Sequence, residues 1–186
     1  MLRILAMLCG LMWLAPALAG QAELLDALRR GGHILLLRHA VTEPGLGDPQ
    51  NFVLGDCATQ RNLSAAGRVQ ARALGQWLRT QGIPVGEVRS SQWCRCLDTA
   101  RLAFAPELEI QPWPALNSFF GDRGREPKQR AEVLAALAPR MEANRVWVTH
   151  QVNITSLTGV FPAMGEIVVI RPGAQGLEVV GRFVPG

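Results

Sequence analysis

Two histidines, His39 and His150, each directly follow an apolar run, Ile34-Leu35-Leu36-Leu37-Arg38 before the first and Val146-Trp147-Val148-Thr149 before the second. Runs of this kind read as strands buried on both faces. Ligands of open α/β sheets bind in the crevice beyond the strand ends, so both imidazoles fall where a ligand is expected. Arg38 adjoins His39, and Arg95 lies on the first turn of a helix that follows a third strand, residues 85–90. Guanidinium forks take phosphate oxygens two at a time, and helix N-termini favour anions. Arg38, His39, Arg95 and His150 therefore form the candidate phosphate site, and this chemistry requires neither metal nor cofactor.

The surrounding elements must bring these four together. Residues 23–30 read as a short amphipathic helix stopped by Gly31-Gly32, and residues 33–38 as the first strand. Residues 40–60, rich in Gly, Pro, Asp and Asn, form a long loop of the kind that carries function beside a buried strand. Ser64 can cap a helix through about Gln81, with Ala66, Val69, Ala73 and Trp77 on one face and Gly82 and Pro84 ending it. Ser91 can cap the next helix, residues 93–104, whose Leu97, Ala100 and Phe104 share a packing face, with Arg95 off that face. A Pro-rich stretch (106–114) and a polar loop (117–127) lead to a helix at 128–137 and a strand at 145–149. Residues 166–171 and 177–184 flank a Gly/Pro turn and read as a hairpin. Strands alternating with helices argue for a three-layer α/β/α fold with a mostly parallel central sheet.

A chain of 186 residues, 48% hydrophobic and 18% charged, is neither disordered nor fibrous. Its length suits one domain. The first 19 residues hold Arg3, an apolar run over residues 4–14, Pro16, Ala17 and Ala19. That is the pattern of a signal peptide cleaved after Ala19, and the run is short of the ~20 residues a membrane span needs. The expectation is a single domain over residues 20–186, exported to the periplasm or secreted, with no membrane attachment after cleavage. Losing Arg3 leaves 18 basic residues against 15 acidic ones, a mild excess of +3. Lys128 is the only lysine, there is no Tyr, and no basic stripe interleaves with aromatics. Nucleic acid is thereby excluded as a partner, a small anion fits better, and no obligate protein partner is implied. Cys57, Cys94 and Cys96 remain; export permits a disulfide from Cys57 to Cys94 or Cys96, with Cys94 the preferred partner. The single C-x-C pair lacks zinc-site spacing.

In order and spacing, Leu36-Leu37-Arg38-His39-Ala40, Ser90-Ser91-Gln92-Trp93-Cys94-Arg95-Cys96-Leu97-Asp98-Thr99-Ala100 and Val148-Thr149-His150 resemble the three signature segments of the histidine phosphatase superfamily, the phosphoglycerate mutase-like group. Residues 62–71 resemble that family's Leu-Thr/Ser-x-x-Gly-x-x-Gln-Ala helix start, so the resemblance spans about residues 34–158. It implies the phosphoglycerate mutase-like fold, with His39 as the nucleophile that becomes a phosphohistidine. Arg38 and Arg95 would clamp the phosphoryl oxygens, His150 would donate a hydrogen bond to them, and Thr42 stands where relatives often contact phosphate. Ala40 replaces the usual Gly of the first motif.

The general acid departs from the family pattern. Asn117 follows Leu116 where the mutase-like branch carries Glu, and Gln151 follows His150 where the acid phosphatase branch carries Asp. Asp48, Glu43 and Asp122 are the remaining carboxyls on nearby loops, and Asp48 ranks first because its loop can fold over the pocket. Arg61 and Asn153 are placed at the rim, and Trp93 or Trp113 at the pocket's flank. The implied function is an exported phosphatase hydrolysing a phosphate monoester of a small molecule, metal-independent. The alternative is a non-catalytic phosphate or sugar-phosphate binding protein that keeps the pocket without the acid; a third reading restricts turnover to good leaving groups or phosphoramidates.

Overall fold

The computed structural model describes residues 16–137, 142–173 and 176–185. Its strands are β1 (Ile34–Arg38), β2 (Val85–Ser90), β3 (Ile110–Pro112), β4 (Asn144–Thr149), β5 (Ile167–Gly173) and β6 (Gly176–Phe183), and its helices α1 (Pro16–Arg29), α2 (Ala65–Thr80), α3 (Cys94–Phe104), α4 (Glu126–Ala135) and α5 (Gln151–Thr158). The sheet order is β3-β2-β4-β1-β5-β6. The first four strands in chain order run parallel, while β5 runs antiparallel to β1 and to β6. Alternation along β1 divides the core between two faces. Leu35 and Leu37 pack with α1, α2 and α3 through Leu28, Leu74, Leu78 and Phe104. Ile34 and Leu36 face the other way, joining Trp147, Val133 of α4 and Ile154 of α5. The result is the expected three-layer architecture around a mostly parallel sheet.

Several elements differ in detail from the sequence reading. Helix α1 begins at Pro16, ahead of the expected start at 23, and so runs across the expected cleavage point; residues 1–15 of the expected leader lie outside the described residues. The buried face of α2 is Gly67, Ala71, Leu74, Gly75 and Leu78, whereas Ala66, Ala73 and Val69 face solvent and Trp77 is half-buried. Two glycines explain the rotation. A Cβ at Gly75 would overlap Ala103 O of α3, and one at Gly67 would overlap Val41 O, so the helix turns its bare backbone toward its neighbours. Strand β3 falls inside the Pro-rich stretch; as an edge strand it tolerates Pro112. Helix α4 starts at Glu126, two residues early, with proline in its first turn.

Ser64 caps α2 as expected, its hydroxyl accepting from Gly67 N at 3.0 Å. Ser91 does not cap α3. Trp93 occupies the N-cap position and makes no side-chain cap bond; Ser91 Oγ accepts from Trp93 N at 3.3 Å and also lies 2.8 Å from His150 Nε2.

Candidate active site

Strands β1 and β4 pair in register, Arg38 opposite Thr149, so the residues that follow them emerge side by side. His39 N donates to Thr149 O at 3.0 Å, and the imidazole rings of His39 and His150 stand 5.5 Å apart at 65°. Both rings are buried. His39 Nδ1 lies 2.9 Å from Ala40 O. A carbonyl only accepts, so Nδ1 carries the hydrogen and Nε2 keeps its lone pair. Burial, followed by the positive charge of Arg95, lowers the His39 pKa to about 3, which leaves the ring neutral.

His150 has a different partner. Its Nε2 is 2.8 Å from Ser91 Oγ, and its Nδ1 is 3.5 Å from Arg95 Nη2. Burial first, then Arg95, holds its pKa well below the usual value. Ser91 has one hydroxyl proton and two acceptors within reach, His150 Nε2 and, at 3.2 Å, Asn117 Oδ1. The hydroxyl's orientation therefore selects which nitrogen of His150 is protonated.

Arg95 sits in the first turn of α3 and is 3% exposed. Its Nη1 and Nη2 grip Asp48 Oδ1 and Oδ2 at 2.7 and 3.0 Å. Asp48 also accepts from Trp93 Nε1 at 3.0 Å and from Arg61 N at 3.0 Å. Burial alone would raise the Asp48 pKa, but hydrogen bonding and charge from Arg95 outweigh it and hold the carboxyl below its ordinary range. Arg38 Nη1 donates to Pro162 O at 2.7 Å, and Arg61 Nη1 donates to Gly45 O. Burial, with repulsion from neighbouring arginines, lowers the pKa of both. Each of these three guanidiniums is thus fastened through Nη1, and each keeps a buried Nε without a partner. Buried donors are normally satisfied, so three unpartnered Nε groups on arginines close enough to act on both neutral imidazoles make an arrangement that can receive an anion. Three guanidiniums against one carboxylate leave two positive charges, the complement of a phosphoryl dianion.

The other predicted residues fall as follows. Thr42 is buried, but its hydroxyl turns to Met164 Sδ at 3.8 Å. Glu43 is exposed, and Asp122 is exposed and accepts from Gly124 N at 3.2 Å, closing a turn. Asn117 occupies the expected acid position as a buried amide held on every side. Its Oδ1 accepts from Gln92 N at 2.8 Å, its Nδ2 donates to Gln92 Oε1 at 2.9 Å, and its carbonyl accepts from Asn153 Nδ2 and Gln129 Nε2 at 2.9 and 2.8 Å. Asn153 is therefore a buried brace and not a rim residue. Trp93 flanks the pocket, 5.5 Å from the His150 ring with Phe52 behind it, whereas Trp113 packs edge-on against Trp147 on the other face of the sheet. The Cys57–Cys94 disulfide ties the long loop to the residue preceding Arg95. Cys96 is a buried free thiol whose pKa burial pushes up to about 12. Sequence reasoning left Arg61 at the rim and gave Ser91 to a helix cap; no motif marked Arg61, and Ser91's position one residue past β2 was the available signal.

Comparison with known proteins adds a family. The family model of the histidine phosphatase superfamily (branch 1) matches residues 34–152. No curated protein sequence matches. Among solved structures, a phosphoserine phosphatase in complex with 3-phosphoglyceric acid from Entamoeba histolytica superposes with a TM-score of 0.61 at 17% identity, covering 81% of this chain and 95% of its own. An alpha-ribazole phosphatase from Shigella flexneri gives 0.58 at 17% identity, covering 83% and 96%. The protein histidine phosphatase SixA complexed with tungstate gives 0.56 at 17% identity, covering 82% and 97%. At these identities the likeness is one of fold.

Proposed function

Since the chain belongs to the histidine phosphatase superfamily (branch 1), we propose that it is an exported phosphatase acting through a phosphohistidine on His39. The carrying observation is the fixed tautomer of His39, whose Nε2 lone pair borders a socket with two net positive charges. In the first step Nε2 attacks phosphorus, the bond from phosphorus to the leaving atom breaks, and its electron pair departs with the leaving group. Arg38, Arg61 and Arg95 meet the charge on the equatorial oxygens. With Ser91 donating to His150 Nε2, His150 Nδ1–H points a further donor at them. Water then attacks phosphorus, the P–N bond breaks, and phosphate leaves with His39 neutral again. No step is routed through a metal.

Asp48 does not serve as the acid in this scheme, because it is a carboxylate accepting four hydrogen bonds. It holds Arg95 end-on and leaves the Nε edge for phosphate. With an amide at residue 117, the favoured substrates are small phosphorylated molecules whose leaving groups need no proton from the protein, aryl phosphates and N-protonated phosphoramidates among them. Export rests on residues 1–19 and on the Cys57–Cys94 disulfide. The same Asn117 favours a second reading, phosphate binding without turnover. Release of phosphate from an aryl phosphate in EDTA, beside the His39→Ala variant, separates the two. Turnover that resists EDTA and vanishes with His39 supports the phosphatase; no turnover, with thermal stability raised by phosphate, supports the binding protein.

A further inference from the structure

Eight large apolar side chains are well exposed among the described residues, and five of them, Leu46, Val53, Leu54, Phe120 and Phe161, stand in loops at the end of the sheet that holds His39. Scattered exposed apolar residues are ordinary, whereas a cluster around a pocket marks a binding surface. Two of these five adjoin backbone carbonyls that fasten arginines, and a third packs beside one of them. Leu46, 87% exposed, follows Gly45, whose carbonyl holds Arg61, and comes two residues before Asp48, which holds Arg95. Phe161, 68% exposed, precedes Pro162, whose carbonyl holds Arg38. Phe120 lies against the same loop as Leu46, its ring 3.8 Å from where a Cβ on Gly47 would stand. The loops that hold the guanidiniums inward thus show apolar side chains outward.

We propose that the molecule taken by this site is a phosphorylated amphiphile, with its phosphoryl group in the arginine socket and its apolar body lying on Leu46, Phe120 and Phe161. The proposal deepens the phosphatase reading and rests on the same socket. Charge complementarity selects the occupant: a wholly apolar partner would leave three buried donors unmet, and a compact sugar phosphate would leave the apolar rim in water. Unpartnered guanidinium donors beside loops that expose apolar side chains together fit one molecule with both characters.

Calorimetric titration of the His39→Ala protein with inorganic phosphate, methyl phosphate, hexyl phosphate and decyl phosphate, below their micelle concentrations, tests this without turnover. A methylene fully withdrawn from water is worth about a fourfold gain in affinity, so partial cover on an open rim should make hexyl phosphate at least roughly tenfold tighter than methyl phosphate. Leu46→Ser with Phe120→Ser and Phe161→Ser should remove that gain. The single variant Leu46→Ser, at the most exposed of the three, should remove part of it should the triple variant not fold. Phosphate binding with affinities flat across the alkyl series overturns the amphiphile while leaving the socket intact. No binding of any phosphate overturns the socket itself, and with it the phosphatase reading.

Discussion

His39 and His150 are the same residue type, equally buried, at the ends of neighbouring parallel strands and facing the same arginines, yet their surroundings give them different freedom. The partner of His39 Nδ1 is a carbonyl, which accepts and never donates, so the tautomer is fixed and Nε2 keeps its lone pair. The partner of His150 Nε2 is a hydroxyl, which does both, so His150 can accept from Arg95 in the free pocket and donate through Nδ1 once an anion arrives. A single choice of neighbour, carbonyl against hydroxyl, separates a residue suited to covalent chemistry from one suited to changing hydrogen-bond partners.

Replacing each histidine breaks the comparison most severely. His39→Ala should lower kcat by at least about a thousandfold and abolish acid-labile phosphoenzyme, whereas His150→Ala should cost about a hundredfold and still form the phosphoenzyme, as expected for lost oxyanion stabilisation. Trapping with a radiolabelled substrate checks both, and equal labelling of the two variants would contradict the assignment. Arg95→Lys should cost roughly ten- to a hundredfold, because a point charge cannot grip Asp48 and still present an edge to phosphate. Ser91→Ala should lower kcat about tenfold and shift the nitrogen resonances of His150 while leaving those of His39 in place. Matching shifts in both rings would erase the distinction drawn here.

The smallest effects concern pH. With His39 held near 3, its protonation should not slow the enzyme between about pH 5 and 8, in contrast to an ordinary imidazole titrating near 6.5. Stability should respond instead. Both rings stay neutral when folded and accept a proton at ordinary pH when unfolded, so the unfolded state binds more protons as pH falls below about 6.5. Thermal melts should therefore show a lower Tm at pH 4.5 than at pH 7, with a smaller difference in His39→Gln.

The layered sheet and the strand-end histidines were legible because apolar runs and glycine stops are local signals. Rotation of α2 was not, since Gly67 and Gly75 bury by having no side chain, and counting apolar residues assigns that face to Ala66 and Val69 instead. In the site, Arg38, His39, Arg95 and His150 announced themselves by their neighbours in sequence. Arg61 and Asp48 did not. Their roles arise from a loop folding back so that Asp48 meets Arg95 forty-seven residues later, a long-range ion pair that no local spacing encodes. Ser91 was visible at the right place but carries the same residue type whether it caps a helix or sets a tautomer.

Fastening all three guanidiniums before any ligand arrives has a consequence for recognition speed and selectivity. An arginine side chain carries roughly 2 kcal/mol of rotamer entropy, and here much of that ordering is completed during folding. Oxyanion capture then resembles a key entering a finished lock, with little ordering left to oppose it. Tetrahedral oxyanions of phosphate size should seat quickly and with a small entropic penalty, while planar nitrate and carbonate, mismatched to a fixed arrangement of donors, should be refused on shape alone.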